Sequence, residues 1–244
     1  YDLLISHERT LMAYQHGARF LEEATSLTAP IEGTAGLQII FGTAPINLAA
    51  DPTAVTNVPV IAYSYKEAVE QLGYSDDWAS YTLCQSMYAC FKLFSVAPVI
   101  FINVLDPTTH KTAVSVATAV AISSMQGIIK ASGDAVKGIL LSSVKVKAAS
   151  DSVSNLVLDT DYSLSFDSDG NTVVTVLAGG SVAAATSVYV TYDKINPAAV
   201  SENDIIGSYT PGTGAETGME VLRQIYPKFG MTPGLLLAPG WSHD

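Results

Sequence analysis

Val58-Pro-Val-Ile-Ala-Tyr-Ser-Tyr-Lys-Glu-Ala-Val-Glu-Gln-Leu-Gly73 is the stretch that decides the fold class. Val58 to Ala62 is apolar and largely β-branched, which suits a short strand, and Pro59, which has no backbone N–H to give a ladder, points to a sheet edge. Ser64 then stands three residues before Glu67, the spacing of a capping box that satisfies the first backbone N–H groups of a helix. Ala68, Val69 and Leu72 follow, and Gly73 supplies a stop, so a short amphipathic helix is predicted over 65–72. A strand running straight into a capped helix is α/β texture.

The same texture continues on both sides. Leu37-Gln-Ile-Ile-Phe41, bounded by Gly36 and Gly42, reads as a buried strand, with Pro45 and Pro52 holding the loop after it. Downstream, Asp76 and Asp77 suit a helix N-terminus, and Leu83, Met87, Cys90, Phe91 and Phe94 recur at helical steps, so a second helix is predicted over 76–94. Its aromatic residues Tyr81, Tyr88, Phe91 and Phe94 are expected in the core. Val99 to Leu105 reads as a fully buried strand ended by Asp106-Pro107. Past Pro197 the texture returns, with a short helix over 217–226 ended by Pro227 and Gly230 and a buried strand at Gly234-Leu-Leu-Leu-Ala238. The chain stops at Asp244, where an α/β domain would place a loop and another helix, so this core is expected to be truncated.

Between these halves the pattern is all β. Val144-Lys-Val-Lys147 and Tyr162-Ser-Leu-Ser-Phe166 alternate, Asn155-Leu-Val-Leu-Asp159 is a short apolar run, and Asp169-Gly-Asn171 offers a turn. Thr172 to Leu177 and Ser187 to Tyr192 complete a small sandwich or barrel. Ala113 to Ala121 is rich in Ala, Val, Ser and Thr without a period and is left unassigned. The expected organisation is therefore an extended N-terminal arm (1–30), a discontinuous mixed α/β core (31–108 and 197–244) and an inserted all-β domain (109–196).

Composition excludes several function classes. Twelve Lys+Arg against 23 Asp+Glu gives a net charge of −11, which repels phosphate backbones and argues against DNA or RNA as a partner. The run Val96 to Leu105 is far shorter than the ~20 residues of a membrane helix, and Pro98 and Asn103 interrupt it. No basic flank, apolar stretch and small-residue cleavage site occur in order near the start, so the chain is expected to be cytoplasmic at birth. At 14% charged residues, against ~25% in ordinary domains, and a mean hydropathy of +0.30, the chain hides a large core or assembles with its own copies.

Catalytic patterns are sparse. The histidines are His7, His16, His110 and His243, in no metal-ligand spacing, and Cys84 and Cys90 read as small buried hydrophobes. Pro211-Gly-Thr-Gly-Ala-Glu-Thr-Gly218 is the glycine-rich loop before a helix, yet it lacks the Gly-Lys-Ser/Thr ending of a P-loop and reads as a flexible cap at Thr217. Asp159, Asp161, Asp167 and Asp169 could offer hard oxygens to Ca²⁺, but Asp is also an ordinary turn residue and no EF-hand spacing is present. No catalytic, cofactor or metal residue is assigned.

Three stretches together resemble the contractile tail sheath proteins of bacteriophages and phage-derived particles. They are His16-Gly-Ala-Arg-Phe-Leu-Glu-Glu-Ala-Thr-Ser26 with Gly36-Leu-Gln-Ile-Ile-Phe-Gly-Thr-Ala-Pro45; Val60 to Gly73; and Val190-Thr-Tyr-Asp-Lys-Ile-Asn-Pro197 with Asp204-Ile-Ile-Gly207, Thr217-Gly-Met-Glu220 and Pro233-Gly-Leu-Leu-Leu-Ala-Pro-Gly240. The resemblance implies a non-enzymatic structural subunit that polymerises as stacked hexameric rings around a tail tube and contracts to drive the tube through a cell envelope. Implied partners are copies of itself, the tail tube protein, and baseplate and tail terminator proteins, in a virion tail assembled in the bacterial host cytoplasm. It also implies that an arm carrying Tyr14, Gln15, His16, Gly17, Ala18, Arg19, Phe20, Leu21, Glu22 and Glu23 adds a strand to a neighbouring subunit's sheet. Met12 falls where the family begins, so residues 1–11 are expected to be a leader or upstream extension, and residues 109–196 correspond to the family's variable outer decoration. The alternatives are the sheath of an R-type bacteriocin or another contractile injection particle and, from a different class, an α/β enzyme binding a phosphate-bearing ligand at Gly212–Gly218.

Overall fold

The structure, a computed structural model, describes residues 36–49 and 51–241. The elements of the first half are β1 (Gln38–Gly42), β2 (Val60–Ala62), α1 (Tyr65–Leu72), α2 (Thr82–Met87) and β3 (Val99–Asn103). The helix α1 forms where the opening stretch predicts it. Ser64 Oγ accepts the Glu67 N–H at 3.3 Å, and Glu67 Oε2 reaches back to accept the Tyr63 N–H at 2.9 Å, one residue beyond the usual box. Gly73 leaves the helix at φ 76°, in the region that favours glycine.

The second helix starts at Thr82, not Asp76. The acidic pair makes local turns instead: Asp77 Oδ1 accepts the Ser80 N–H and the Trp78 N–H bonds the Asp76 carbonyl. The start comes from the loop after β1, where Thr43 Oγ1 accepts the Thr82 N–H at 3.2 Å and the Thr43 carbonyl accepts the Leu83 N–H at 3.0 Å. A side chain far away in sequence thus caps α2, and Gly42 is small enough to lie against Thr82. From Tyr88 to Leu93 the helix widens into a π turn, which keeps Cys90 inward and leaves Leu93 and Phe94 in solvent. Phe94, expected in the core, is 73% exposed, and Tyr88 is exposed too, whereas Tyr81 is buried and Phe91 packs on Phe101.

A four-stranded sheet, in which a last strand β14 (Leu235–Leu237) lies beside β1 in the order β14-β1-β3-β2, is the centre of this α/β part. Strand β1 is parallel to β3, and the short β2 runs antiparallel to β3 at one edge, as Pro59 implies. All five residues of β3 are buried because both faces are covered. Ile100 and Ile102 join Ile39 and Phe41 in one apolar layer with Ile46, Leu105, Val221 and Ile225. Val99 and Phe101 join Ile40 in the other, against Ala68 and Leu72 of α1 and Leu83 and Met87 of α2. The fully buried Asn103 fastens the strand ends: its Oδ1 accepts the N–H groups of Ala44 at 3.2 Å and Leu105 at 3.0 Å.

The β-rich segment follows with β4 (Lys111–Ala121), β5 (Gln126–Ile128), β6 (Lys130–Ala131), β7 (Asp134–Ala135), β8 (Lys145–Lys147), β9 (Tyr162–Phe166), β10 (Thr172–Val176) and β11 (Ser187–Ile195). Two antiparallel three-stranded sheets, β5-β10-β9 and β4-β11-β8, share an apolar core of Val120, Val146, Val174, Val176, Val188 and Val190. The alternation in β10 and β11 faces that core directly. The unassigned Ala113–Ala121 stretch lies within β4, the longest strand. Its period is hidden because a bulge lies between the pairs Val190↔Thr118 and Tyr192↔Val114, leaving Val116 79% exposed. Asn155 to Asp159 is a loop rather than a strand, with Val157 and Leu158 exposed. Strand β11 runs from one core into the other: Val188 to Tyr192 belong to the β-rich core, while Ile195 packs in the layer with Ile100 and Ile205.

The return comprises α3 (Glu202–Ile206), β12 (Tyr209–Thr210), β13 (Ala215–Glu216), a 3₁₀ turn over Gly218–Gln224, α4 (Ile225–Phe229) and β14 (Leu235–Leu237). Pro227 does not end the helix predicted here. It sits in the first turn of α4, where its missing N–H breaks no bond, and Gly230 at φ 67° makes the stop. The chain is therefore a mixed α/β fold with a β-rich segment running between two parts of one sheet.

Candidate assembly surface

The arm residues Tyr14 to Glu23 lie outside the described residues, as do His7, His16 and His243. The remaining candidates fall inside, and His110, Asp161, Asp167 and the glycine loop are engaged in holding the chain. His110 is buried where the chain leaves β3 for β4. Its Nδ1 accepts the Asp106 N–H at 3.0 Å, its Nε2 lies 3.5 Å from Asp204 Oδ1, and its carbonyl accepts the Asn196 N–H at 2.8 Å. Asp204 Oδ2 also accepts the N–H and hydroxyl of Ser201, each at 2.7 Å, in the capping box of α3. Burial pushes the Asp204 carboxyl up, but the Ser201 and His110 contacts outweigh it and hold the group below the usual carboxylate range.

The four aspartates weighed as oxygen donors for Ca²⁺, Asp159, Asp161, Asp167 and Asp169, divide between two turns, 157–162 and 167–171. Asp161 accepts from the backbone of Val157 and from the N–H and hydroxyl of Ser181, and Asp167 from the N–H groups of Asp169 and Asn171 and the Asn171 amide. These bonds lower both carboxyls, Asp161 chiefly through Val157 and Asp167 chiefly through the Asn171 side chain. Among the described residues, no group of three or more His, Cys, Asp or Glu side chains could hold a metal ion.

The glycine loop is a hairpin between β12 and β13. The N–H groups of Thr213 and Gly214 bond the Thr210 carbonyl, and the Gly218 N–H donates to Asn57 Oδ1 at 2.9 Å. The backbone donors that a phosphate would need are thus already taken at three of its positions. The cysteine thiols are withdrawn from chemistry by burial, which pushes Cys84 up to about 12 and raises Cys90.

What stands out instead is an edge. Strand β14 pairs with β1 on one side, Gln38↔Leu235 to Ile40↔Leu237, and among the described residues ends the sheet on the other. Leu237 packs against the α1–α2 layer, so Leu235 faces that side and Leu236 the opposite one. Leu235 is 44% and Leu236 45% exposed, so the layers on both faces stop short of this strand. Sequence reading takes the Leu-Leu-Leu run as buried; it missed that a strand at the sheet margin lacks cover on both faces. Phe94 and Leu93 add further exposed apolar surface at the end of the helix whose Cys90 touches Gln38.

The polar candidates His110, Asp161, Asp167 and Asp204 serve turns, caps and strand ends, and among the described residues the β14 margin is apolar and uncovered. In comparison with known proteins, the chain is 29% identical over 238 residues to the tail sheath protein of Burkholderia phage BcepMu, covering 93% of this chain and 43% of that protein. The chain thus spans less than half the length of the curated relative it matches. No protein-family model matches the chain, and no solved structure matches it. Among the described residues, no helix is long and apolar enough to cross a membrane.

Proposed function

We propose that the chain is part of a contractile tail sheath subunit, which polymerises as stacked hexameric rings around a tail tube and contracts to drive the tube through a target envelope. The observation that carries this reading is the similarity to a phage tail sheath protein along 93% of the chain. The low charge and the uncovered β14 margin support it, since both suit a surface that is buried in neighbours. No nucleotide chemistry is involved: contraction is a switch between two packings of many copies. Partners are other copies, the tail tube, baseplate and tail terminator proteins, and the place of action is the virion tail after assembly in the host cytoplasm. In this reading residues 31–108 and 197–244 form the core, 109–196 an outward decoration, and Tyr14 to Glu23 a donated strand.

The test is electron microscopy of the whole protein, expressed with and without its tail tube protein, beside a variant lacking residues 14–25. Long hollow tubes from the intact protein, and none from a variant with unchanged circular dichroism and Tm, are expected. Unchanged tubes from the variant remove the arm assignment, and absence of tubes under every condition removes the sheath reading.

A further inference from the structure

A cleft of about 710 Å³ opens beside the exits of β1 and β3, walled by Ala49, Pro52, Pro107, Leu140, Leu141 and Phe166. A space of that size takes large apolar side chains or a small molecule. The polar groups around it already serve one another: Lys111 Nζ meets Asp193 at 2.7 Å, the Thr108 hydroxyl donates to Asp106, the Thr53 hydroxyl to Asp51, and the Ser143 hydroxyl to the Leu140 carbonyl. What the cleft leaves unmet is apolar contact. A matching shape stands at the other end of the sheet. Phe94 is 73% and Leu93 61% exposed where the π turn ends, and Cys90 Sγ within that turn reaches Gln38, the first residue of β1. Phe94 thus stands on the entrance side of β1 and β3, whereas Pro52 and Pro107 lie past their last residues.

We propose that Phe94 of one copy seats in this cleft of the next, a head-to-tail contact between copies of the chain. The five residues of β3 hold knob and cleft roughly 16 Å apart, so they do not meet within one molecule. Contact between two different surfaces of identical copies runs on from copy to copy, into a ring or a helix, instead of closing as a pair. Charge agrees with the docking: in a chain of net charge −11, exposed Lys92 lies two residues from Phe94, and exposed Asp51 stands on the cleft rim. An aromatic side chain filling a preformed hole is the kind of anchor that carries most of an interface's binding energy. The contact deepens the sheath reading and rests on it for the arrangement of copies, while knob and cleft both belong to this chain.

The test uses the 244-residue chain, so that its failure is separate from failure of the sheath reading, which tubes of the whole protein decide. Chains carrying Phe94→Cys and Ser142→Cys are mixed and treated with a short bismaleimide; both positions are exposed, Ser142 lines the cleft, and the native Cys84 and Cys90 are buried. The expected product is the mixed 94–142 dimer, in about tenfold or greater excess over either like dimer. Phe94→Ala should weaken self-association in sedimentation by about tenfold or more, and Ser142→Trp, which fills the cleft mouth, should do the same, both with wild-type Tm. Crosslinks in the ratio expected of random collision, no self-association of the unaltered chain, or unchanged association of either variant overturns the proposal. A fall in the Tm of the whole protein with Phe94→Ala, absent from this chain, also overturns it, since the knob is then covered within one polypeptide.

Discussion

The uncovered leucines of β14 give the assembly reading a quantitative test. Burying a Leu side chain fully is worth about 1.5–3 kcal/mol, and Leu235 and Leu236 are a little more than half buried within the chain. Replacing both by Ala should therefore cost the 244-residue chain about 1–2 kcal/mol per site, read from urea unfolding. The uncovered remainder is worth about 1.5–2.5 kcal/mol for the pair once a neighbouring copy covers it, roughly a 10- to 70-fold change in association. Sedimentation of the whole protein should show its polymerisation threshold rising by that factor for Leu235→Ala/Leu236→Ala. Val153→Ala is the control, since Val153 is 97% exposed in a loop of the β-rich segment and should leave both readouts unchanged. A threshold that does not move, with the fold still weakened, refutes the idea that copies cover this margin. A much larger loss of stability in the whole protein than in this chain instead places the cover within the same polypeptide.

Acid should weaken the fold through four carboxyls. Asp51, lowered chiefly by the Thr53 hydroxyl, joins Asp161, Asp167 and Asp204 in having a folded value below the ordinary 3.8, so their stabilisation is complete above that pH and lost as pH falls through the lowered values. Tm should thus decline below about pH 4, and Asp161→Asn should flatten that decline. Gly207→Ala should destabilise by about 3 kcal/mol or more, because φ is 75° and a Cβ would run into the Thr217 carbonyl, whereas Gly212→Ala, with open space around it, should be neutral in thermal melts. Ser64→Ala should cost about 1 kcal/mol by removing the cap of α1, measurable in urea unfolding.

What was legible in the chain is what neighbouring residues settle among themselves. Ser64, Glu67 and Gly73 carry the start and stop of α1 locally, and the alternation of Thr172 to Val176 is enough to orient β10. Each misreading involves a partner distant in sequence. The cap of α2 is Thr43, so the local signal at Asp76 pointed to the wrong start. The bulge in β4 exists only against β11, and it scrambles the period that would have revealed the strand. Leu235 to Leu237 look buried by composition, yet exposure at a sheet margin depends on which strands happen to lie beside it.

Strand β11 has a mechanical meaning. Its nine residues are one continuous extended rod whose far end is gripped by the valines of the β-rich core and whose near end, Ile195, is wedged beside Ile100 and Ile205. His110 and the Lys111–Asp193 pair, at 2.7 Å, brace the rod against the outgoing chain where it crosses. A pull or twist on the β-rich segment would therefore run along the β11 backbone to Ile195 and, through its packing, reach the apolar layer against the central sheet. Such a body would act as a lever arm, so that strain applied far from the sheet would be felt within it.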